Sequence, residues 1–166
     1  MNSMSKGHCQ DEKEECAKVL LKCKISSPVH VTVISGAEAE TPGSPVITPK
    51  LAPVSFGTGH FHDQCVKLEF STNLVSVLDV NTSVAITFQL YKLCKGETVA
   101  DTIGNPWSYS ILTDLTDIIT FSVCDCDCDI NDCCSYYVIA TAVATATEQE
   151  TPTTSTLEFN NPHYQL

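Results

Sequence analysis

The sequence predicts an all-β protein, an antiparallel β-sandwich carried as one domain. Three observations lead there. Apolar and polar residues alternate at period two over many short stretches, the signature of half-buried strands. Turn-forming clusters separate these stretches at intervals of roughly 8–12 residues. No convincing amphipathic helical pattern follows residue 24.

Taken in chain order, residues 1–16 are polar and charged, hold Cys9 and Cys16, and read as a flexible N-terminal connector arm with no core of its own. The apolar pattern begins at 17–24. Over 28–35, Val29, Val31 and Val33 share one face, with His30, Thr32 and Ile34 on the other. Positions 36–45 are a loop. The stretch from Val46 to Phe56 is expected at a sheet edge, because Pro49 and Pro53 cannot donate to a central ladder. In 65–71, Val66, Leu68 and Phe70 alternate with Cys65, Lys67 and Glu69; residues 74–80 follow, broken at Asp79. The clearest strand is 83–93, with Val84, Ile86, Phe88 and Leu90 on one face. Cys94 to Glu97 is a turn. Trp107–Thr113, Ile118–Cys124 and Tyr136–Thr147 complete the set, and Phe88 and Trp107 are expected in the core. In the last of these strands Tyr137, Ile139, Thr141 and Val143 share a face; the Thr-rich stretch 141–156 reads as an exposed strand and linker. The expected sandwich is therefore 17–147, followed over 148–166 by a polar C-terminal tail with a short strand near Thr156–Phe159. Pattern alone does not separate jelly-roll from immunoglobulin-like topology; the jelly roll is the expectation carried forward.

Composition narrows the function. The 166 residues are 43% apolar, enough for one sizeable core. Net charge is −11 and the chain has no Arg. Nucleic acid and anionic lipid are poor partners for such a surface, because phosphate binding needs clustered Lys and Arg. No apolar run is long enough for a membrane helix. No G-x-S-x-G, Walker or H-E-x-x-H motif is present, so an enzyme is not expected.

The outlier is cysteine, at ten residues: Cys9, Cys16, Cys23, Cys65, Cys94, Cys124, Cys126, Cys128, Cys133 and Cys134. Such a count points to disulfides or structural metal. The densest run is 124–134. Continued as a strand, Cys124, Cys126 and Cys128 lie on one face and Asp125, Asp127 and Asp129 on the other. A zinc cluster would want paired knuckles with ligands spaced two to four apart, and C-x-C-x-C followed by C-C is not that pattern. A calcium loop would use Asp125, Asp127, Asp129 and Asn131, but Ile130 stands where an EF-hand has Gly and Tyr136 where it has Glu. His60 and His62 could share a strand face and bind a metal edge-on, although a loop feature is the plainer reading. No metal or other cofactor is assigned, and disulfides are favoured. Vicinal Cys133 and Cys134 suit two different partners better than each other, since a disulfide wants Cα atoms about 4.4–6.8 Å apart in a specific dihedral. The arm cysteines are natural candidates, in this or a neighbouring copy. The N-terminus carries no apolar signal-peptide core.

Three segments resemble a clostridial family of short Cys-rich proteins of unknown function: Val-Leu-Leu-Lys-Cys at 19–23, Ile-Thr-Phe-Gln-Leu-Tyr-Lys-Leu-Cys at 86–94, and Phe-Ser-Val-Cys-Asp-Cys at 121–126 leading into Cys-Cys-Ser-Tyr-Tyr-Val-Ile at 133–139. The overall plan is also similar to the endospore appendage subunits of bacilli, β-sandwiches whose Cys-bearing N-terminal connector cross-links subunits into surface fibres. That resemblance implies a structural subunit of an extracellular, disulfide-linked fibre on the spore surface, made without a signal peptide. Its partners would be copies of itself, with spore coat or exosporium proteins beyond them. Cys9 and Cys16 would be the connector cysteines, and Cys23, Cys65, Cys94, Cys124, Cys126, Cys128, Cys133 and Cys134 the pool of receiving positions. Two rival expectations stand beside this one: a zinc- or calcium-binding surface module centred on 124–134, and a spore coat or adhesion protein that does not polymerise.

Overall fold

The computed structural model describes residues 23–35, 45–57, 66–125, 133–146 and 153–165. The expected connector arm, 1–16, lies outside the described residues, as do the expected loop segment 36–44 and the 126–132 stretch of the Cys/Asp run.

Within them the chain forms ten strands and no helix. They are β1 (Cys23–Ile25), β2 (Val29–Ser35), β3 (Val46–Ile47), β4 (Leu51–Gly57), β5 (Val66–Val77), β6 (Thr82–Cys94), β7 (Asp101–Ile111), β8 (Leu115–Asp125), β9 (Cys133–Ala146) and β10 (Thr153–Gln165). Every pairing is antiparallel. Sheet A runs β1/β2–β10–β5–β8, and sheet B runs β3/β4–β9–β6–β7. The two sheets pack face to face in the eight-stranded jelly-roll order, with β1 and β2 as one interrupted strand and β3 and β4 as another.

Prolines mark the interruptions. Pro28 falls between β1 and β2, and Pro49 between β3 and β4. Pro53 sits where the β4–β9 register shifts, with Ala52 at φ 45°. As expected from these prolines, β3 and β4 lie at the edge of sheet B. Pro106 lies in edge strand β7, inside the register shift between Ile103 and Trp107. Pro162 lies in a central strand, and it is tolerated because β10 bulges there; Asn161 takes φ 48° and the Pro162 carbonyl accepts the Ser26 N–H at 2.9 Å.

The core forms where the inner faces meet. Val84, Ile86, Phe88 and Leu90 of β6 are buried, as the alternation predicts, and so are Leu68 and Phe70 of β5 and Val31 and Val33 of β2. Phe88 of sheet B reaches Phe70, Phe121 and Phe159 of sheet A at ring-centroid distances of 6.3, 6.0 and 6.0 Å. On the open side between edge strands β7 and β8, Trp107 stacks on Phe121 at 4.3 Å. Gly104, at φ 66°, lets β7 bend toward β8; a Cβ there would meet Val123 Cγ1 at 3.3 Å.

Three expectations change. The segment 153–165 is a full strand rather than a short one in a tail: β10 lies inside sheet A, and Leu157, Phe159 and Tyr164 are buried. Its Thr, Ser and Asn residues conceal that pattern. The Thr-rich part of β9 is likewise interior to sheet B; Tyr137, Ile139, Thr141 and Val143 do share a face, but it is the outer one, while Tyr136, Val138, Ala140, Ala142 and Ala144 fill the core. Finally, β5 runs unbroken to Val77, and β7 begins at Asp101, well before Trp107.

Candidate functional site

The jelly roll carries its described cysteines to one pole. Four structural facts place them there. β6 ends at Cys94, opposite Cys134 near the start of β9. β8 ends at Asp125, opposite Val66 at the start of β5. β4 ends at Gly57, opposite Cys133. β1 begins at Cys23, opposite Gln165 near the end of β10. Cys65 precedes Val66 directly in sequence, and Cys126 and Cys128 follow Asp125. These three, with Cys9, Cys16, His60 and His62, lie outside the described residues.

Cys94 and Cys134 are bonded to each other, with Cα atoms 3.9 Å apart. The expected partner for Cys134 was an arm cysteine; instead β6 and β9 place Cys94 beside it in register on the inner face of sheet B. A tight turn fixes Cys94: the Glu97 N–H donates to the Cys94 carbonyl at 3.1 Å, and the Cys94 N–H donates to Glu97 Oε2 at 2.8 Å. Gly96 takes φ 97° in that turn.

Cys23 and Cys124 are free thiols, both exposed. They occupy the outer face of sheet A on its two opposite edge strands, β1 and β8. Three strand spacings separate those strands, about 14 Å in all. A disulfide needs Cα atoms within about 7 Å, so these two cannot bond to one another in one chain.

Beneath the disulfide lies a polar cluster that the sequence reading passed over. Lys92 Nζ lies 2.9 Å from Asp125 Oδ2, with side chains only 10% and 3% exposed. The Tyr136 hydroxyl donates to the same oxygen at 2.6 Å. Lys92 and Tyr136 are register partners in sheet B, while Asp125 comes from sheet A, so the cluster ties the sheets together. A signal was available: Lys92 continues the inward series Phe88, Leu90, and Asp125 continues Phe121, Val123. Asp125 therefore faces the interior, engaged with Lys92 and Tyr136, rather than the front of a calcium loop. Among the described residues no three His, Cys, Asp or Glu side chains gather to hold a metal ion, and no helix is long and apolar enough to cross a membrane.

Two further groups are electrostatically distinctive. The Tyr109 hydroxyl donates to Asp117 Oδ2 at 2.6 Å, and this bond lowers the Asp117 carboxyl below its usual range and raises the Tyr109 phenol. Burial pushes the Tyr164 phenol well up, and its hydroxyl has no hydrogen-bond partner among the described residues.

No curated protein matches the sequence. Among solved structures, one described as the structure of infectious bursal disease virus Gx strain is similar over 88% of this chain, at 11% identity and a TM-score of 0.30. This chain spans 39% of that viral chain, and a likeness so slight carries no functional argument. Residues 17–165, from the end of the charged arm through β10, match the family described as Domain of unknown function (DUF4489), and the chain belongs to that family.

Proposed function

We propose that this chain is a structural subunit that assembles with its own copies into a disulfide-cross-linked extracellular fibre on an endospore surface. The observation that carries the reading is the pair of exposed free thiols, Cys23 and Cys124, at one pole and on opposite edges of one sheet. They are too far apart to satisfy each other, so their oxidation within the described fold calls for a partner from elsewhere. The N-terminal cysteines Cys9 and Cys16 of a neighbouring copy supply that chemistry. Cys94 and Cys134 bond within the chain, which narrows the proposed receiving pool to Cys23, Cys65, Cys124, Cys126, Cys128 and Cys133.

Edge strands add a second means of contact. Among the described residues β7 and β8 end sheets B and A on the same side of the sandwich, each with one side that has no strand partner and can pair with an edge of another copy. A contact between different patches that does not close on itself propagates into a filament. The resemblance to clostridial Cys-rich proteins and to endospore appendage subunits supports a spore-surface location as part of this proposal, with coat or exosporium proteins as the filament's neighbours.

Electron microscopy of the purified, oxidised chain, with and without reductant, tests this reading. Filaments whose subunits separate only in reductant support it. Deleting residues 1–16 should abolish the filaments while leaving the β circular dichroism spectrum intact. Single particles under oxidising conditions, with thiols free or bound to stoichiometric zinc, refute it.

A further inference from the structure

We propose that Lys92 and Asp125 condense into an intramolecular isopeptide bond that welds sheet B to sheet A beneath the cysteine pole. The reactants are already in place. Lys92 Nζ stands 2.9 Å from Asp125 Oδ2, and both side chains are nearly removed from solvent. The backbone holds them there from two sides: Lys92 is fixed in the β6–β9 register opposite Tyr136, and Asp125 in the β8–β5 register opposite Val66. Such fixed proximity converts a slow bimolecular condensation into an intramolecular one.

Burial acts toward the forms that react. An ammonium and a carboxylate taken out of water both lose solvation, and passing one proton from nitrogen to carboxyl removes both charges. The neutral amine is then a nucleophile beside a protonated carboxyl group. Tyr136 supplies the third part. Its hydroxyl donates to Asp125 Oδ2 at 2.6 Å, where it stabilises negative charge as that oxygen becomes the oxyanion of the tetrahedral adduct. The Lys92 nitrogen forms a bond to Asp125 Cγ. The bond from Cγ to the other carboxyl oxygen breaks, and that oxygen leaves as water with the two protons released by the nitrogen. An ammonium and a carboxylate become one amide and one water, with no oxidant, cofactor or second substrate.

The product suits its position. An amide replaces a buried ion pair whose desolvation cost is large. It joins β6 to β8, strands from different sheets that are not hydrogen-bonded neighbours. Unlike the adjacent Cys94–Cys134 disulfide, it survives reduction. The proposal does not depend on fibre formation, because it concerns single chains.

Intact mass spectrometry of the fully reduced, denatured full-length chain tests it. The expected result is a mass one water below that of the sequence, with fragmentation locating a branched peptide pair joined through Lys92 and Asp125. Lys92→Met, which keeps the apolar stem but lacks the nucleophile, should restore the full mass whether or not the variant folds. Tyr136→Phe should slow the loss of water after synthesis. A wild-type chain at full sequence mass overturns the proposal, as does a water loss that maps to a single unbranched peptide.

Discussion

Cys94 and Cys134 face each other across β6 and β9, their Cα atoms 3.9 Å apart, and their disulfide closes the inner face of sheet B at the pole where β8 ends and β5 begins. Lys92 and Tyr136 come next on the same face and meet Asp125 from the opposite sheet. The disulfide and the buried Lys92–Asp125–Tyr136 cluster therefore brace the end of the sandwich from which the free thiols project.

That bond spans a sequence separation of 40 residues, so it constrains the unfolded chain appreciably. Replacing both Cys94 and Cys134 with Ala should lower unfolding stability by about 2–4 kcal/mol. Urea titration followed by tryptophan fluorescence, comparing wild type with and without reductant and the double variant, measures this. Because the pair bonds within one chain, its loss should leave cross-linking between copies in place.

Phe88 is the side chain of sheet B around which the aromatic rings of sheet A gather. Phe88→Ala should cost about 3–5 kcal/mol by combining lost burial with a cavity. Ile118→Ala, at an exposed position on the outer face of β8, should change stability by no more than about 0.5 kcal/mol. Parallel denaturant titrations of the two variants check the contrast.

Tyr164 is fully buried with an unpartnered hydroxyl among the described residues, packed edge-on to Phe70 at 5.5 Å. Tyr164→Phe should cost nothing at neutral pH and gain up to about 1 kcal/mol, since an unsatisfied buried hydroxyl is removed. The variant should also resist alkali better. The phenol is raised in the fold, so the wild type keeps its stability below the ordinary tyrosine pKa and loses it as pH climbs above that value. Thermal melts from neutral to strongly alkaline pH distinguish the two.

The Tyr109–Asp117 bond should act over a defined pH window. Asp117 is lowered by the Tyr109 hydroxyl, then by the Ile118 N–H at 2.8 Å, so its contribution is present above the ordinary carboxylate pKa and lost as pH falls through the lower folded value. Tyr109 is raised, so its contribution is present below the ordinary phenol pKa and lost at higher pH. The stability difference between wild type and Tyr109→Phe should therefore form a plateau through neutral pH and shrink at both extremes, as read from urea midpoints.

Much of the fold is legible in the residues. The Val84–Leu90 alternation, Val31 with Val33 and Leu68 with Phe70 mark inner faces because β-branched and aromatic residues repeat there at period two. What hides β10 is chemistry rather than spacing. Ser155 is buried at the edge of the core, its hydroxyl accepting the Asp79 N–H at 3.2 Å, so polar residues stand where an apolar series would have announced a strand. In β9 the inner face is built largely of alanine, whose weak apolar signal is outshone by the larger Ile139 and Val143 on the outer face. At the candidate site the cysteine count pointed to sulfur chemistry, but the pairing of Cys94 with Cys134 depends on strand register, which spacing along the chain does not contain. Lys92 and Asp125 were readable as inward positions, yet their meeting across two sheets follows only from the jelly-roll order.

The most direct test of the central claim mixes equal amounts of chains grown in ordinary and heavy nitrogen, under reductant, and then oxidises them together. Disulfide-linked peptides are read by mass spectrometry. The account predicts pairs carrying one light and one heavy partner that join Cys9 or Cys16 to a cysteine of the pole, while Cys94–Cys134 remains all light or all heavy. Disulfides found solely within chains of one isotope would contradict it.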